Sequence, residues 1–185
     1  MNLNTDRLHI RRIVKDDWRD VLEIWRDFAQ SQYAQFDMPH DTDEESACRR
    51  IAKWAQFGQS MEHIFFAVCL DGRVIGYIAF NIRSDGYEIG YCFHSRHHGK
   101  GYARESLSAL LEYMRSLGAR RFSAGTALLN LPSVKLLKSL GFEQVGEEKV
   151  SFYQDAQGND VFFDGGIFVL GQSAGIGGKH ADTGN

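Results

Sequence analysis

Between positions 96 and 104 the chain reads Arg-His-His-Gly-Lys-Gly-Tyr-Ala-Arg. These residue types at this spacing suit one task, which is holding a phosphorylated ligand. Gly99 and Gly101 lack a Cβ, so the backbone there can turn with positive φ and approach a ligand closely. If a helix begins just behind them, its first amides point into the loop and its dipole adds partial positive charge. Arg96, Lys100 and Arg104 add formal charge. Two familiar phosphate motifs are excluded. A P-loop fails because Tyr102 follows Gly101, and the dinucleotide fingerprint fails because Arg104 stands where its third glycine belongs. His94, His97 and His98 beside Cys92 invite a metal reading. Adjacent histidines do not converge easily on one ion and no spaced partner pair follows, so no metal is expected. Cys92 reads as a small buried strand residue rather than a covalent nucleophile.

The elements that position this loop follow from periodicity. Arg7 to Ile13 alternates as an opening strand. A helix follows, with Asp16 or Asp17 as its cap and Trp18, Val21, Leu22, Trp25 and Phe28 on one face. After a polar, aromatic-dotted loop from Gln30 to His40, a second helix opens at Thr42-Asp43-Glu44-Glu45 with capping-box spacing. His63–Leu70, Arg73–Ile82 and Tyr87–Phe93 are strands joined by tight Asp-Gly turns, and so antiparallel. The loop then leads into a helix with Leu107, Leu110, Leu111, Met114 and Leu117 on one face and Gly118 as its stop. Arg121–Ala127 closes a βαβ unit, which makes the fourth and fifth strands parallel. A short helix, Pro132–Leu140, and a final strand pair, Phe142–Phe152 and Val161–Leu170, complete a domain over residues 1–170. The sum is an α+β fold with a mixed, mostly antiparallel seven-stranded sheet and four helices. Trp18, Trp25 and Trp54 read as core.

Composition narrows the partners. The 185 residues are 43% hydrophobic and 12% aromatic, enough for a core, and the net charge of -3 gives no global basic field for nucleic acid. No apolar run approaches the ~20 residues of a membrane span, and the N-terminus has no signal-peptide pattern. Cys48, Cys69 and Cys92, an odd and sparse set, read as reduced buried thiols of a cytoplasmic protein. From Gly171 to Asn185 the composition turns glycine-rich with almost nothing to bury, which predicts a disordered tail.

Arg96-x-x-Gly99-x-Gly101 resembles the Arg/Gln-x-x-Gly-x-Gly/Ala acetyl-CoA loop of the GNAT N-acetyltransferases. Asn130-Leu131-Pro132-Ser133, followed by Leu136-Leu137 and Gly141-Phe142, resembles that family's second motif. The opening Thr-Asp-Arg-Leu-His-Ile-Arg-Arg-Ile before an acid-capped helix is similar to the branch of ribosomal-protein N-terminal alanine acetyltransferases. The resemblance covers about residues 4–170 and implies acetyl-CoA as acyl donor. It implies that the backbone of Cys92, Phe93 and His94 pairs with the pantetheine arm. His98, Gly99, Lys100, Gly101, Tyr102 and Ala103, with Arg96, would wrap the pyrophosphate, while Asn130 and Ser133 would lie near the thioester. A splay between the parallel strands would open the slot.

The chemistry so implied is direct acetyl transfer to a primary amine, on a peptide N-terminus or a small cationic amine such as a polyamine or aminoglycoside. Glu88, opening its strand where many members keep a glutamate, is the expected base. A strand amide freed by a bulge would stabilise the oxyanion, and Ser133 would protonate the thiolate. Leu137 stands where many members carry a tyrosine acid, which leaves Tyr153 as a substitute and keeps open a non-catalytic acyl-CoA-binding module. The loop with Tyr33, Phe36 and Asp37 should overhang the acetyl end, with acids and aromatics suited to a cation. A monomer or homodimer is expected, without nucleic acid or membrane.

Overall fold

The computed structural model describes residues 1–57 and 62–171. The glycine-rich tail, apart from Gly171, lies outside the described residues. The chain opens with β1 (Asn2–Asn4) and β2 (His9–Arg12), then α1 (Trp18–Ala29) and α2 (Glu44–Gln56). β3 (His63–Leu70), β4 (Arg73–Arg83) and β5 (Gly86–Phe93) follow, then α3 (Tyr102–Ser116), β6 (Phe122–Ala127), α4 (Leu131–Ser139), β7 (Glu143–Gln154) and β8 (Asp160–Leu170). The sheet is eight-stranded, in the order β1-β2-β3-β4-β5-β6-β8-β7.

The eighth strand, against seven expected, comes from the N-terminus. Asn2–Asn4 pairs antiparallel with β2, Leu3 opposite Ile10. The turn between them closes through Thr5, whose amide donates to the Leu8 carbonyl at 2.9 Å and whose Oγ1 accepts from the Leu8 amide at 3.1 Å. One apolar residue between two asparagines is too short a run to show alternation.

Alternation along the strands divides the core in two. On one face Ile10, Phe66, Phe80, Ile89 and Phe122 meet Leu107, Leu110 and Met114 of α3 and Leu137 of α4. On the other, Ala67, Cys69 and Tyr77 meet Val21, Leu22 and Trp25 of α1 and Ala47 and Ile51 of α2. Trp25 is fully buried and its indole Nε1 donates to Tyr77 Oη at 3.0 Å, which satisfies its one polar atom. Leu117, expected on the buried stripe, is 51% exposed, because α3 ends at Ser116 and Gly118 turns the chain with φ +101°.

Caps also differ from expectation. The Asp17 carboxylate does not cap α1. It accepts two bonds of 2.7 Å from Arg11 and one of 2.8 Å from the Val14 amide, closing a 3-10 turn over residues 15–17. At α2 the cap is Asp43, which accepts from the Ser46 amide at 2.9 Å.

β5 and β6 are parallel and pair only through Tyr87↔Phe122 and Glu88↔Ser123. Beyond Glu88 they part, because β6 follows β8 from Phe122↔Leu170 to Ala127↔Gly165.

Candidate active site

The parting of β5 and β6 opens a cleft of about 1260 Å³. The strand pleat decides which backbone groups face it. The Tyr87 amide donates toward β6, to Arg121 O at 3.0 Å, and the His94 amide donates toward β4, to Ile75 O at 3.0 Å. With a period of two, and beyond the ladder that ends at Glu88↔Ser123, Tyr91 and Phe93 turn their amides and carbonyls into the cleft, and Cys92 and His94 do not. Of the three residues expected to pair with a pantetheine arm through their backbone, Phe93 alone is so oriented. Its carbonyl accepts from His98 Nε2 at 2.8 Å. The expected bulge is absent from β5, whose register with β4 runs unbroken from Phe93↔Gly76 to Gly86↔Arg83. Divergence from β6, not a bulge, turns these amides toward open space. Register shifts lie elsewhere, between β3 and β4 at Val68/Cys69 and between β7 and β8 at Gln144/Gly146 and Ser151/Tyr153.

At one end of the cleft stands the glycine loop. Gly99 and Gly101 have φ of +72° and +82°, so both need the left-handed region. A Cβ at Gly99 would meet nothing within 4 Å, whereas one at Gly101 would meet Arg7 Nη2 at 3.3 Å. No side chain caps α3, so its first amides remain turned to the loop. His98, Gly99, Gly101, Tyr102 and Ala103 line the cleft, with Arg104 as the one cation among the three expected there. His94, Arg96 and Lys100 do not line it. The Lys100 carbonyl is held by Arg7 Nη1 at 2.9 Å, and His94 Nδ1 accepts from the Arg96 amide at 3.3 Å.

Two supports of this loop carried no sequence signal, since each comes from far along the chain. Arg7 donates through Nε to Glu105 Oε2 at 2.8 Å and lies over the Tyr102 ring at 4.6 Å. Thr5 Oγ1 donates to Glu105 Oε1 at 2.5 Å. From α1, Asp27 accepts from the amide and hydroxyl of Ser95, both at 2.7 Å. Burial works against the charge of Asp27, but these bonds, with His94 and His98 nearby, outweigh it and hold the carboxyl below its usual range.

Further along, Asn130 caps α4, its Oδ1 accepting from the Ser133 amide at 3.3 Å. Ser133 is therefore not the cap. Its hydroxyl lies 2.8 Å from Tyr91 Oη, and all three residues line the cleft. Burial pushes the Tyr91 phenol up to about 12, partly opposed by the Ser133 bond, so it stays protonated at neutral pH. Tyr91 was not anticipated as a site residue, although the pleat already placed it opposite Cys92. Leu137 is fully buried in the core. Tyr153 Oη is engaged elsewhere, donating to the Ala34 carbonyl at 2.9 Å. Glu88 lines the cleft and is ion-paired with Arg83.

The loop 30–40 forms the remaining wall, with Ser31, Tyr33, Phe36 and Asp37 on the cleft. Phe36 meets Phe163 of β8 edge-on at 5.3 Å, and Phe152 of β7 lies 5.8 Å from Phe163. His40 stacks on Trp25 at 4.6 Å. Cys92 is half-buried and lines the cleft. Burial pushes its thiol up to about 12, which removes the thiolate a nucleophile would need. Cys69 is buried, but Cys48 is exposed, against expectation, on the outer face of α2. Among the described residues no group of His, Cys, Asp or Glu is placed to hold a metal ion, and no helix is long and apolar enough to cross a membrane.

Comparison with known proteins agrees with this geometry. An acetyltransferase (GNAT) domain profile matches residues 7–143. The uncharacterized N-acetyltransferase YnaD of Bacillus subtilis is 28% identical over 79% of this chain and 85% of its own. The fold is similar to that of a ribosomal-protein-S5-alanine acetyltransferase from Vibrio fischeri, with TM-score 0.77 and 18% identity over 92% of this chain and 96% of the other. It is also similar to RimL, a ribosomal L7/L12 alpha-N-protein acetyltransferase in complex with coenzyme A. There the TM-score is 0.79 at 17% identity over 95% of this chain and 100% of the other. With most of its length matched by that profile, the chain belongs to the GNAT acetyltransferase family, enzymes whose acyl donor is acetyl-CoA.

Proposed function

We propose that the domain of residues 1–170 transfers the acetyl group of acetyl-CoA directly to the primary amine of a protein N-terminus in the cytoplasm. The observation that supports this most is the parting of β5 from β6 after Glu88. It gathers on one cleft a glycine cradle, a strand edge with its amides turned outward, and a pair of hydroxyls. The names of the two solved relatives supply the acceptor class, since both point to ribosomal proteins, one to an alanine and one to an alpha-amino group.

In this reading the amides of Gly99 to Ala103 bind the pyrophosphate, with Arg104 adding charge, and the edge of β5 pairs with the pantetheine arm as an added strand would. Asn130 and Ser133 stand at the thioester. An α-amino group has a pKa of about 8, so most of it is protonated at neutrality and must lose a proton first. Glu88 receives that proton. The nitrogen lone pair then forms the C–N bond, and the carbonyl electron pair moves to oxygen, facing the amides of β5. Collapse breaks the C–S bond, the thiolate takes a proton from Ser133, whose hydroxyl is bonded to Tyr91, and the second proton shed by the amide nitrogen restores that hydroxyl.

A small polyamine-like acceptor is the second reading, favoured by Asp37 and Phe36 on the cleft wall. Thiol release from acetyl-CoA, measured with Ala- and Ser-terminated peptides, spermidine and an aminoglycoside, separates these acceptors. Tight acetyl-CoA binding with no turnover on any amine would instead make the protein an acyl-CoA-binding module.

A further inference from the structure

Asp37 is a carboxylate with almost no company. Its bonded partner is the Met38 amide, at 2.7 Å, and among the described residues it forms no ion pair. More than a third of its surface is open, and that surface faces the cleft. Elsewhere it is hemmed in by protein, and burial raises its carboxyl above the usual range despite the Met38 bond.

The groups around it locate it. Its charge acts on Tyr77 of β4, Cys92 of β5 and Tyr153 of β7, so the carboxylate lies between the cleft floor and the β7–β8 hairpin. Tyr77, Cys92 and Tyr153 all have raised pKa values, and His40 on the same loop is lowered to about 4. At neutral pH each of the four is therefore uncharged. The nearby cation Arg50 contacts His40, at 3.2 Å, and the Trp25 ring. Among the described residues Asp37 thus presents a negative charge with no ion-pair partner, next to Phe36, whose ring meets that of Phe163. Two pins hold the loop that carries it, the Tyr153 bond to Ala34 and the stacking of His40 on Trp25. Of the other carboxylates on the cleft, Glu88 is paired with Arg83, Asp27 is bonded to Ser95, and Glu148 stands across on β7.

We propose that Asp37 is the docking group for the acceptor's ammonium, so that the cleft selects amines that arrive as cations with an apolar flank against Phe36 and Phe163. A carboxylate with one hydrogen bond and no counter-ion gains most from a cation, and aromatic faces add to the attraction. This inference rests on the transferase reading and adds to it the chemistry that admits the acceptor.

The test uses an Ala-Ala dipeptide amide and its N-acetylated form. Both are titrated calorimetrically into the CoA-saturated protein, and the amide is also assayed as acceptor. Asp37→Asn should raise the acceptor KM at least 10-fold and weaken binding of the cationic amide by the same factor. The KM for acetyl-CoA should stay within twofold, binding of the acetylated form should not change, and Asp37→Glu should recover part of the loss. Unchanged acceptor KM and binding in Asp37→Asn would overturn the proposal and leave the transferase reading standing. If the unmodified protein releases no thiol with any amine, the transferase reading fails and the titration still decides. Asp37-dependent binding of the cationic amide keeps the ammonium site, and equal or absent binding in both proteins removes it.

Discussion

The hydroxyl oxygens of Tyr91 and Ser133 stand 2.8 Å apart, one on β5 and one in the first turn of α4. In the proposed reaction they act as one unit, with Tyr91 protonated and Ser133 free of any capping duty. A CoA thiolate, with a pKa of ~8.5, leaves tolerably unaided, so the assistance needed is modest. We expect Ser133→Ala and Tyr91→Phe each to lower kcat by roughly 10-fold. The double variant should lose little more than either single one, as members of one unit do. Ser133→Ala should leave unfolding free energy nearly unchanged, whereas Asn130→Ala, which removes the α4 cap, should cost about 1 kcal/mol. Additive losses in kcat would show that the two hydroxyls act separately.

Gly101 combines φ +82° with a close neighbour, Arg7. A branched side chain there strains the turn and pushes on the guanidinium that holds the Lys100 carbonyl. Gly101→Val should weaken acetyl-CoA binding by at least ~2 kcal/mol by calorimetry, in a protein that still folds. Arg7→Ala should weaken it less, since the glycines remain. Unchanged affinity in a folded Gly101→Val protein would remove the cradle from the binding site.

Glu88→Gln keeps the shape of the side chain and removes its ability to accept a proton. We expect a loss of roughly 10²-fold in kcat with little change in acetyl-CoA affinity. Full activity of Glu88→Gln across the pH range would mean that water or another group takes the proton.

His40 carries the pH prediction. Burial, with Arg50 adding repulsion, lowers its pKa to about 4, and Tyr77 Oη lies 3.4 Å from its Nε2. An unfolded histidine titrates near 6.5, so below that pH the unfolded state binds the proton and the folded state refuses it. Stability from this group is complete above about pH 6.5 and falls as pH drops toward 4, by up to about 2 kcal/mol between pH 7.5 and 5. The raised carboxyl of Asp37 works in the opposite sense and partly offsets it. Urea unfolding at the two pH values should show the decline, and His40→Phe should flatten it. An equally steep decline in His40→Phe would assign the dependence to other groups.

The loop and α3 were legible because their signals are local. Two glycines, a row of leucines and a stop glycine all act within a few residues of themselves. The partnership of Tyr91 with Ser133, the clamp of Arg7 on Glu105 and the setting of Asp37 were not, because each joins segments far apart in the chain. The family resemblance implied that the backbone of Cys92 and His94 meets the cofactor, whereas the pleat turns it toward β4. Strand alternation separates the faces of a sheet, but only the partner strand fixes which edge a given amide serves. For Asp17 the competition was local, yet the guanidinium of Arg11, on the preceding strand, claims the carboxylate expected to cap α1.

A sheet that divides at Glu88 has more borders than its strand order announces. Besides β1 and β7 at the outside, it carries an inner border along Tyr91 and Phe93, where a strand could be captured by a foreign chain. The protein guards it in two ways. His98 covers the Phe93 carbonyl, and the border lies within the cleft rather than on the molecule's rim. Anything extended that seats there closes the border and stabilises the native state by an amount that grows with the logarithm of its concentration. An acyl donor bound along that border would therefore also cover an edge open to strand pairing.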